Sequence, residues 1–234
     1  MRAAIHQPMY LPYPGFFHKL SVADTFVIMD DVQYDKRFTN RNRILVPQGS
    51  IWISVPIDKD DKFKENRLVR INNSIEWRAD HLKKIRNSYV NAPFFHLYEA
   101  RMNEVFNKDW EFLFELDYEL IRAAADWLGI KVKMLKESDL NVVGTSTQRL
   151  VNTCKAVGAD TYVSGIGGRN YMDDALFARN GLRVVYQDYH PVPYKQRFTD
   201  TFVPDLSIVD MLSNVGPEAM KLIGSSPRSI PLGV

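Results

Sequence analysis

The chain has 234 residues, 45% of them hydrophobic and 25% charged, which is enough for one large α/β domain or two small ones. Its 30 basic and 28 acidic side chains leave a net charge of +2, so the overall field gives no reason to expect nucleic acid or an anionic membrane as the main partner. A single cysteine excludes an intrachain disulfide framework and a thiolate zinc site. We expect neither a secretion signal nor a span of roughly 20 apolar residues, and predict a cytoplasmic protein.

The N-terminal part of the chain alternates predicted strands and loops. "MRAAIHQ" predicts a short buried strand, prolines interrupt the backbone after it, and a short helix is expected from Gly15 to Asp24. "TFVIMDDVQY" predicts a second strand, residues 35–42 have the composition of a loop, and "SIWISVPID" predicts another strand. The charged residues 59–66 are expected to be exposed.

The middle of the chain is predicted to be helical. Apolar and aromatic side chains recur there every four residues, which indicates one buried helix face: Trp77, His81, Ile85 and Tyr89. Ser74 is the expected N-cap of this helix, and His81 is interpreted as a packing residue. Asp109 is the expected cap of a longer helix that ends at Gly129.

Strands and helices alternate again toward the C-terminus. "IKVKML", "DTYVSG" and "LRVVYQ" predict strands, Thr145 and Gln148 match a capping box before the helix "RLVNTCKAV", and "DDALFARN" predicts a helix that ends at Gly181. This alternation predicts an α/β fold with a mainly parallel, Rossmann-like sheet flanked by helices. We expect a single domain over residues 1–234, with a helical insertion at about residues 74–128.

The first candidate site follows the first strand. His6 and Gln7 come at the carboxyl end of this strand, which is where open parallel sheets bind ligands, and Tyr10 follows on a loop stiffened by prolines. We interpret His6 as a catalytic base and Gln7 and Tyr10 as substrate contacts. The alternative is that His6 is a packing histidine.

The second candidate site is the segment "DDVQYDKRFTNRN". Guanidinium groups bind phosphates and carboxylates bidentately, so interleaved cations, amides and acids beside a strand end are suited to a pyrophosphate or a carboxylate. The predicted substrate contacts are Asp30, Gln33, Lys36, Arg37, Asn40, Arg41 and Asn42, and Asp31 is a second candidate base. The alternative is a solvated basic loop.

The third candidate site is "SGIGGRNY". Backbone N–H groups exposed by glycines can bind a phosphate or stabilise an oxyanion. The predicted contacts are Ser164, Gly165, Gly167, Gly168 and Tyr171. The segment lacks both the GxGxxG and the Walker spacing, and a simple strand-to-helix turn is the alternative.

The sequence favours direct transfer over a covalent mechanism. Cys154 is predicted to lie in the core, Ser146 is interpreted as a cap, and Ser164 lacks the G-x-S-x-G elbow. Direct acyl transfer requires only a base for the attacking amine and donors for the developing oxyanion. The scattered histidines give no support for a catalytic metal.

Three stretches resemble the WbqC-like family: residues 4–44, "STQRLVNTCKAVGADTYVSGIGGRNYMD" and "FVPDLSIVDMLSNVG". The resemblance implies a role in synthesis of lipopolysaccharide O-antigen or a related bacterial surface polysaccharide, with acyl or aminoacyl transfer onto a nucleotide-linked amino sugar. It implies no tightly bound cofactor, and leaves coenzyme A, an acyl carrier protein or an adenylated amino acid as the donor. Met9 stands where the family leads us to expect asparagine.

Two other functions remain open from the sequence. One is a noncatalytic module that binds a sugar nucleotide or a carrier protein. The other is a nucleotidyltransferase-like enzyme, because "PYPGFFHK" and "GTSTQRL" faintly resemble the signature pair of that class, although the paired histidines are missing.

Overall fold

The computed structural model describes residues 1–227, so the end of the predicted 1–234 domain, residues 228–234, lies outside the described residues. The strands are β1 Arg2–His6, β2 Thr25–Ile28, β3 Arg41–Val46, β4 Gly49–Ser54, β5 Lys133–Lys136, β6 Thr161–Gly165 and β7 Arg183–Gln187. The helices are α1 Pro14–Ser21, α2 Trp77–Tyr89, α3 Glu99–Phe106, α4 Leu113–Trp127, α5 Ser146–Ala156, α6 Asp174–Arg179, α7 Ile208–Val215 and α8 Ala219–Gly224.

A parallel sheet organises the fold, in the order β5-β2-β1-β6-β7. Successive residues of the central strand point to opposite faces, and each face is covered by helices. Ala4 packs in one core with Phe16 of α1, whereas Ile5 packs in a second core with Val151 of α5 and Phe177 of α6. Burial of such large side chains stabilises the fold by about 2 kcal/mol each. The predicted α/β class with a parallel, helix-flanked sheet is confirmed.

The long connection between β2 and β5 contains more than the predicted helices. Helices α2, α3 and α4 lie within residues 74–128 as expected, and the four side chains at spacing four are buried. Before them, β3 and β4 form an antiparallel hairpin. The strand predicted from "SIWISVPID" is present as β4, but β3 was not predicted, and it begins within the segment 35–42 that has the composition of a loop. The second strand also ends at Ile28, earlier than predicted.

The expected helix caps are wrong. The Ser74 hydroxyl donates to Asn72 Oδ1 in a turn, and α2 begins three residues later at Trp77. The Asp109 carboxylate pairs with Arg78 at 2.8 Å while α4 begins at Leu113. Neither side chain caps a helix, because Ser74 is bound to Asn72 and Asp109 is bound to Arg78.

Two further local predictions are corrected. At the start of α5, Thr145 makes no side-chain cap, and Gln148 Nε2 donates to Asn152 Oδ1, so no capping box forms. The charged segment 59–66 is not uniformly exposed, because the Asp61 carboxylate is buried against Arg70 at 3.0 Å. This guanidinium holds the pKa of Asp61 well below its usual range. None of the helices within residues 1–227 is long and apolar enough to cross a membrane.

Candidate functional site

A crevice of about 710 Å³ opens beyond the carboxyl ends of β1 and β6. These two strands are neighbours, but β1 leads to β2 on one side and β6 leads to β7 on the other. In open α/β sheets such a reversal separates the two following loops and leaves a ligand-binding crevice between them. The cavity therefore occupies the position at which a sheet of this order binds ligands.

The crevice collects residues from all three predicted motifs. Its lining comes from β1 and the loop after it, from α1, from residues 35–39, and from residues 164–171, which we call the glycine turn. The predicted site residues that line it are His6, Gln7, Arg37, Ser164, Gly165, Gly167, Gly168 and Tyr171.

His6 lies at the last position of β1 and is held by two contacts. Its Nδ1 lies 2.8 Å from the Gln7 carbonyl oxygen, which can only accept, so Nδ1 carries the proton and Nε2 is left with a lone pair. Its ring packs edge-on against Phe16. Burial and the nearby charge of Lys19 lower the pKa of His6 to about 3, so the ring is neutral at pH 7. His6 can accept a hydrogen bond or a proton, but it is a weak base.

Lys19 is a crevice residue that the sequence interpretation missed. It lies on α1, only 7% of it is exposed, and its ammonium group is beside Gly165. Burial lowers the pKa of Lys19 to about 8. The sequence gives a weak indication of this, because "GFFHKL" places a lysine in a predicted helix of mainly apolar residues. Other unpredicted lining residues include Tyr13, Asp35, Phe38, Asn170 and Gln187.

The glycine turn forms a tight 3-10 segment, Ile166–Asn170, directly after β6. The Ser164 hydroxyl donates to the Gly165 carbonyl oxygen at 3.0 Å and is buried under the turn. A side chain at Gly168 would collide with Ser164 Oγ and lie 3.3 Å from Met172 Cε. The turn is therefore compact because Gly168 has no side chain.

We predict that Gly168→Ala lowers stability by about 1–3 kcal/mol, because the added methyl group must displace a buried hydroxyl. The matched control is Gly167→Ala, since a methyl group there meets nothing within 4 Å. Chemical denaturation of both variants measures the difference. Equal stability of the two variants would contradict this packing argument.

The loop at residues 35–39 forms the opposite wall. Arg37 is bound to Asp35 through two nitrogens, and this guanidinium lowers the pKa of the Asp35 carboxyl group. Phe38 on this wall and Tyr171 on the glycine turn are 47% and 71% exposed. Exposed aromatic faces at a crevice are surfaces on which a base or sugar ring can stack.

The two aspartates after β2 do not line the crevice. Asp31 Oδ1 lies 2.6 Å from Arg149 Nη2, and Arg149 also pairs with the buried Glu137 at 3.0 Å. The Asp30 carboxylate is buried and accepts from the Ser138 backbone N–H and hydroxyl. These carboxylates join β2 to the α5 region. Asp31 is paired with Arg149 outside the crevice lining, so it is not positioned to act as the base.

Tyr10 and the amides of the second motif also lie elsewhere. The Tyr10 hydroxyl is buried 2.8 Å from His81 Nδ1, and burial raises its pKa well above the usual value. Asn42 Nδ2 donates to the Leu11 carbonyl oxygen, and Asn40 Nδ2 donates to that of Val55. The two amides bind backbone carbonyl groups, and the Tyr10 hydroxyl binds a side chain of α2.

The remaining predicted contacts lie on the surface outside the crevice lining. The Arg41 guanidinium lies 4.7 Å from the centroid of the Trp52 ring, and its Nε donates to the Arg37 carbonyl oxygen. Gln33 and Lys36 are exposed, and the backbone at Gln33 forms an isolated antiparallel β-bridge with that at Glu65. The basic segment is thus divided, with the exposed Arg37 on the crevice lining and Arg41 on the hairpin.

The candidate nucleophiles differ in accessibility. Cys154 is fully buried in the core, as predicted, and burial raises the pKa of its thiol to about 12. Ser146 is the first residue of α5 and does not line the crevice, whereas Ser164 does. Within residues 1–227, no group of three or more histidine, cysteine, aspartate or glutamate side chains is arranged to hold a metal ion.

Comparison with known proteins agrees with the resemblance seen in the three stretches. The model of the WbqC-like protein family matches residues 7–222, from the end of β1 into α8. The uncharacterized protein Rv1507c of Mycobacterium tuberculosis (strain ATCC 25618 / H37Rv) is 32% identical over 220 residues, which cover 93% of this chain and 95% of that protein. A comparison with solved structures found no match. The chain therefore belongs to the WbqC-like protein family.

Proposed function

We propose that this protein is a transferase that binds a nucleotide-linked amino sugar in the crevice and transfers an acyl or aminoacyl group to the sugar amine, in the synthesis of a bacterial surface polysaccharide. The observation that carries the proposal is the position of the crevice at the reversal between β1 and β6. Nucleotides bind at this position in sheets of related strand order, which is an argument from fold. The volume is within the range of small-molecule sites.

The chemistry of the lining is consistent with amine acylation. His6 Nε2 has the lone pair needed to accept a proton from an attacking amine, and the glycine turn, whose backbone N–H groups are candidate oxyanion donors, lines the same crevice. Arg37, Phe38 and Tyr171 offer a cation and two aromatic faces for the nucleotide or the sugar. Met9 also lines the crevice, so an apolar side chain stands where the family resemblance leads us to expect an amide.

A noncatalytic binding module is the second candidate, and the low pKa of His6 favours it, because a group with a pKa of about 3 is a poor base.

The nucleotidyltransferase-like alternative has less support. His18, from the first of its two segments, is fully buried beside Gln187 and Tyr189 and does not line the crevice. The second segment contributes only Leu150 to the lining.

We expect a UDP- or dTDP-linked amino sugar to raise the melting temperature more than the nucleotide or the free sugar, since ligand binding to the folded state stabilises it by mass action. At a ligand concentration of 100 times Kd the gain is about 2.7 kcal/mol. Differential scanning fluorimetry at low salt measures it. No shift with any of the three ligands at millimolar concentration would contradict the proposal.

The same measurement separates the two halves of the basic segment. Arg37→Ala should reduce the shift, because this guanidinium lines the crevice, whereas Lys36→Ala removes one exposed charge from the same loop and should leave it unchanged. An equal reduction in both variants would indicate a general effect of charge rather than a contact with Arg37.

A further inference from the structure

Lys19 is a buried ionisable residue for which the described part of the chain provides no partner. Its side chain lines the crevice, and within residues 1–227 it makes no hydrogen bond or ion pair. An ammonium group that reaches water only through the crevice and has no counter-charge is poorly stabilised, so this lysine favours a bound anion.

The other charged residues of the crevice do not neutralise Lys19. Asp35 is the carboxylate in the lining that the structure describes, and both of its oxygens are bound to Arg37. His6 is neutral. The described lining therefore carries an excess positive charge that is located at Lys19.

The geometry also leaves the ammonium group open to the crevice. A Cβ atom at Gly165 would lie 3.4 Å from Lys19 Nζ, so the missing side chain leaves room for a ligand atom to approach. Gln187, on the next strand, has its amide nitrogen bound to the Gly15 carbonyl oxygen and does not compete for this space.

We propose that Lys19, beside the open space left by Gly165, forms an anion subsite in the crevice, which binds a phosphoryl or carboxylate group of the ligand. The subsite rests on the proposed function only for the identity of that ligand. The anion has two sources: the diphosphate of a nucleotide sugar, or a carboxylate of the sugar or of the donor.

The test is calorimetric titration of the full chain with inorganic pyrophosphate, UDP and acetate. Lys19→Met should weaken binding of the relevant anion by about 10- to 100-fold, the usual effect of losing a charge-assisted hydrogen bond. Lys155→Met is the matched control, because the ammonium group of Lys155 is exposed and bound to Asn180. Loss of pyrophosphate and UDP binding identifies a phosphoryl subsite, and loss of acetate binding alone identifies a carboxylate subsite.

The outcomes separate this proposal from the proposed function. If a nucleotide sugar, pyrophosphate, UDP and acetate each bind wild type and Lys19→Met equally, the function stands and the subsite is wrong. If pyrophosphate binding depends on Lys19 but no nucleotide sugar binds, the subsite stands and the function is wrong. Should Lys19→Met fail to fold, reductive methylation of the wild type followed by mass spectrometry decides: saturating pyrophosphate should protect Lys19, and unchanged labelling would overturn the subsite.

Discussion

Lys19→Met should raise the free energy of unfolding at pH 7 by about 3 kcal/mol, although it removes a residue that we place in the ligand site. The pKa of Lys19 falls from 10.5 to about 8 in the folded chain because burial disfavours the charged form. Lowering a pKa by one corresponds to about 1.4 kcal/mol of stability that the folded state loses when the amine is protonated. Methionine keeps most of the apolar stem and removes the charge.

The stability difference between the wild type and Lys19→Met should depend on pH. Between pH 8 and pH 10.5 the unfolded chain holds a proton on Lys19 that the folded chain has released, so the contribution of Lys19 to stability rises with pH across this window. Below pH 8 the cost is complete. The advantage of the methionine variant should therefore be constant up to about pH 8 and disappear toward pH 10.5.

Urea denaturation at pH 7 and at pH 10 measures both effects. Lys155→Met should change stability by less than about 0.5 kcal/mol, since its ammonium group lies on the surface. A destabilised Lys19→Met protein, or an advantage that does not change with pH, would show that the Lys19 ammonium group is well solvated or paired. An added anion that binds the subsite should stabilise the wild type and reverse the order.

His6→Asn should lower turnover by about 10²- to 10⁴-fold, the usual scale for a lost general base. Asparagine can still donate to the Gln7 carbonyl oxygen, so the loop should stay in place. Acetyl coenzyme A, an acylated carrier protein and an aminoacyl adenylate are offered in turn as donors to find the one that supports the wild type. Absence of turnover with all three, despite binding of the sugar nucleotide, would favour the noncatalytic module.

The structure changes the pH profile expected for this histidine. A side chain with the reference pKa of about 6.5 would give a rising limb between pH 5 and 8, but the pKa of His6 is lowered to about 3. The wild type should therefore show no limb from His6 in that range. An anion on Lys19 would remove part of the repulsion that lowers the His6 pKa, so ligand binding should move the limb upward.

His81→Asn is the matched control for His6→Asn. Burial also lowers the pKa of His81, to about 4, but its Nδ1 is bound to the Tyr10 hydroxyl away from the crevice. Its replacement should lower stability by about 1–3 kcal/mol and leave turnover per folded molecule nearly unchanged. If His6→Asn behaves in the same way, the catalytic role of His6 is wrong.

The stability of the wild type should fall in acid because His6 and His81 both resist protonation in the folded chain. The unfolded chain binds a proton on each histidine at about pH 6.5, whereas the folded chain resists protonation. Each neutral histidine makes its full contribution to stability above about pH 6.5. This contribution is lost as the pH falls toward 4 for His81 and toward 3 for His6. Each asparagine variant should lack its share of this acid sensitivity.

The sequence alone determined the architecture and one edge of the site. Continuous apolar runs such as that around Ile5 and helix faces such as that of Trp77 and Tyr89 are local patterns, and the elements they predict are present. The alternation of strands and helices implied a parallel sheet, and a parallel sheet collects its strand ends at one edge. This is why His6 and Ser164, which are far apart in the chain, could both be assigned to one crevice.

Only the tertiary structure decided which polar residues enter that crevice. Asp31 and Arg37 belong to the same basic segment, yet Asp31 pairs with Arg149 of α5 while Arg37 lines the cavity. Lys19 was overlooked because composition does not reveal whether a lysine is solvated or buried without a partner. Pairing and burial depend on contacts between residues distant in sequence, and the free energies of a charge in these environments differ by several kcal/mol while its local sequence stays the same.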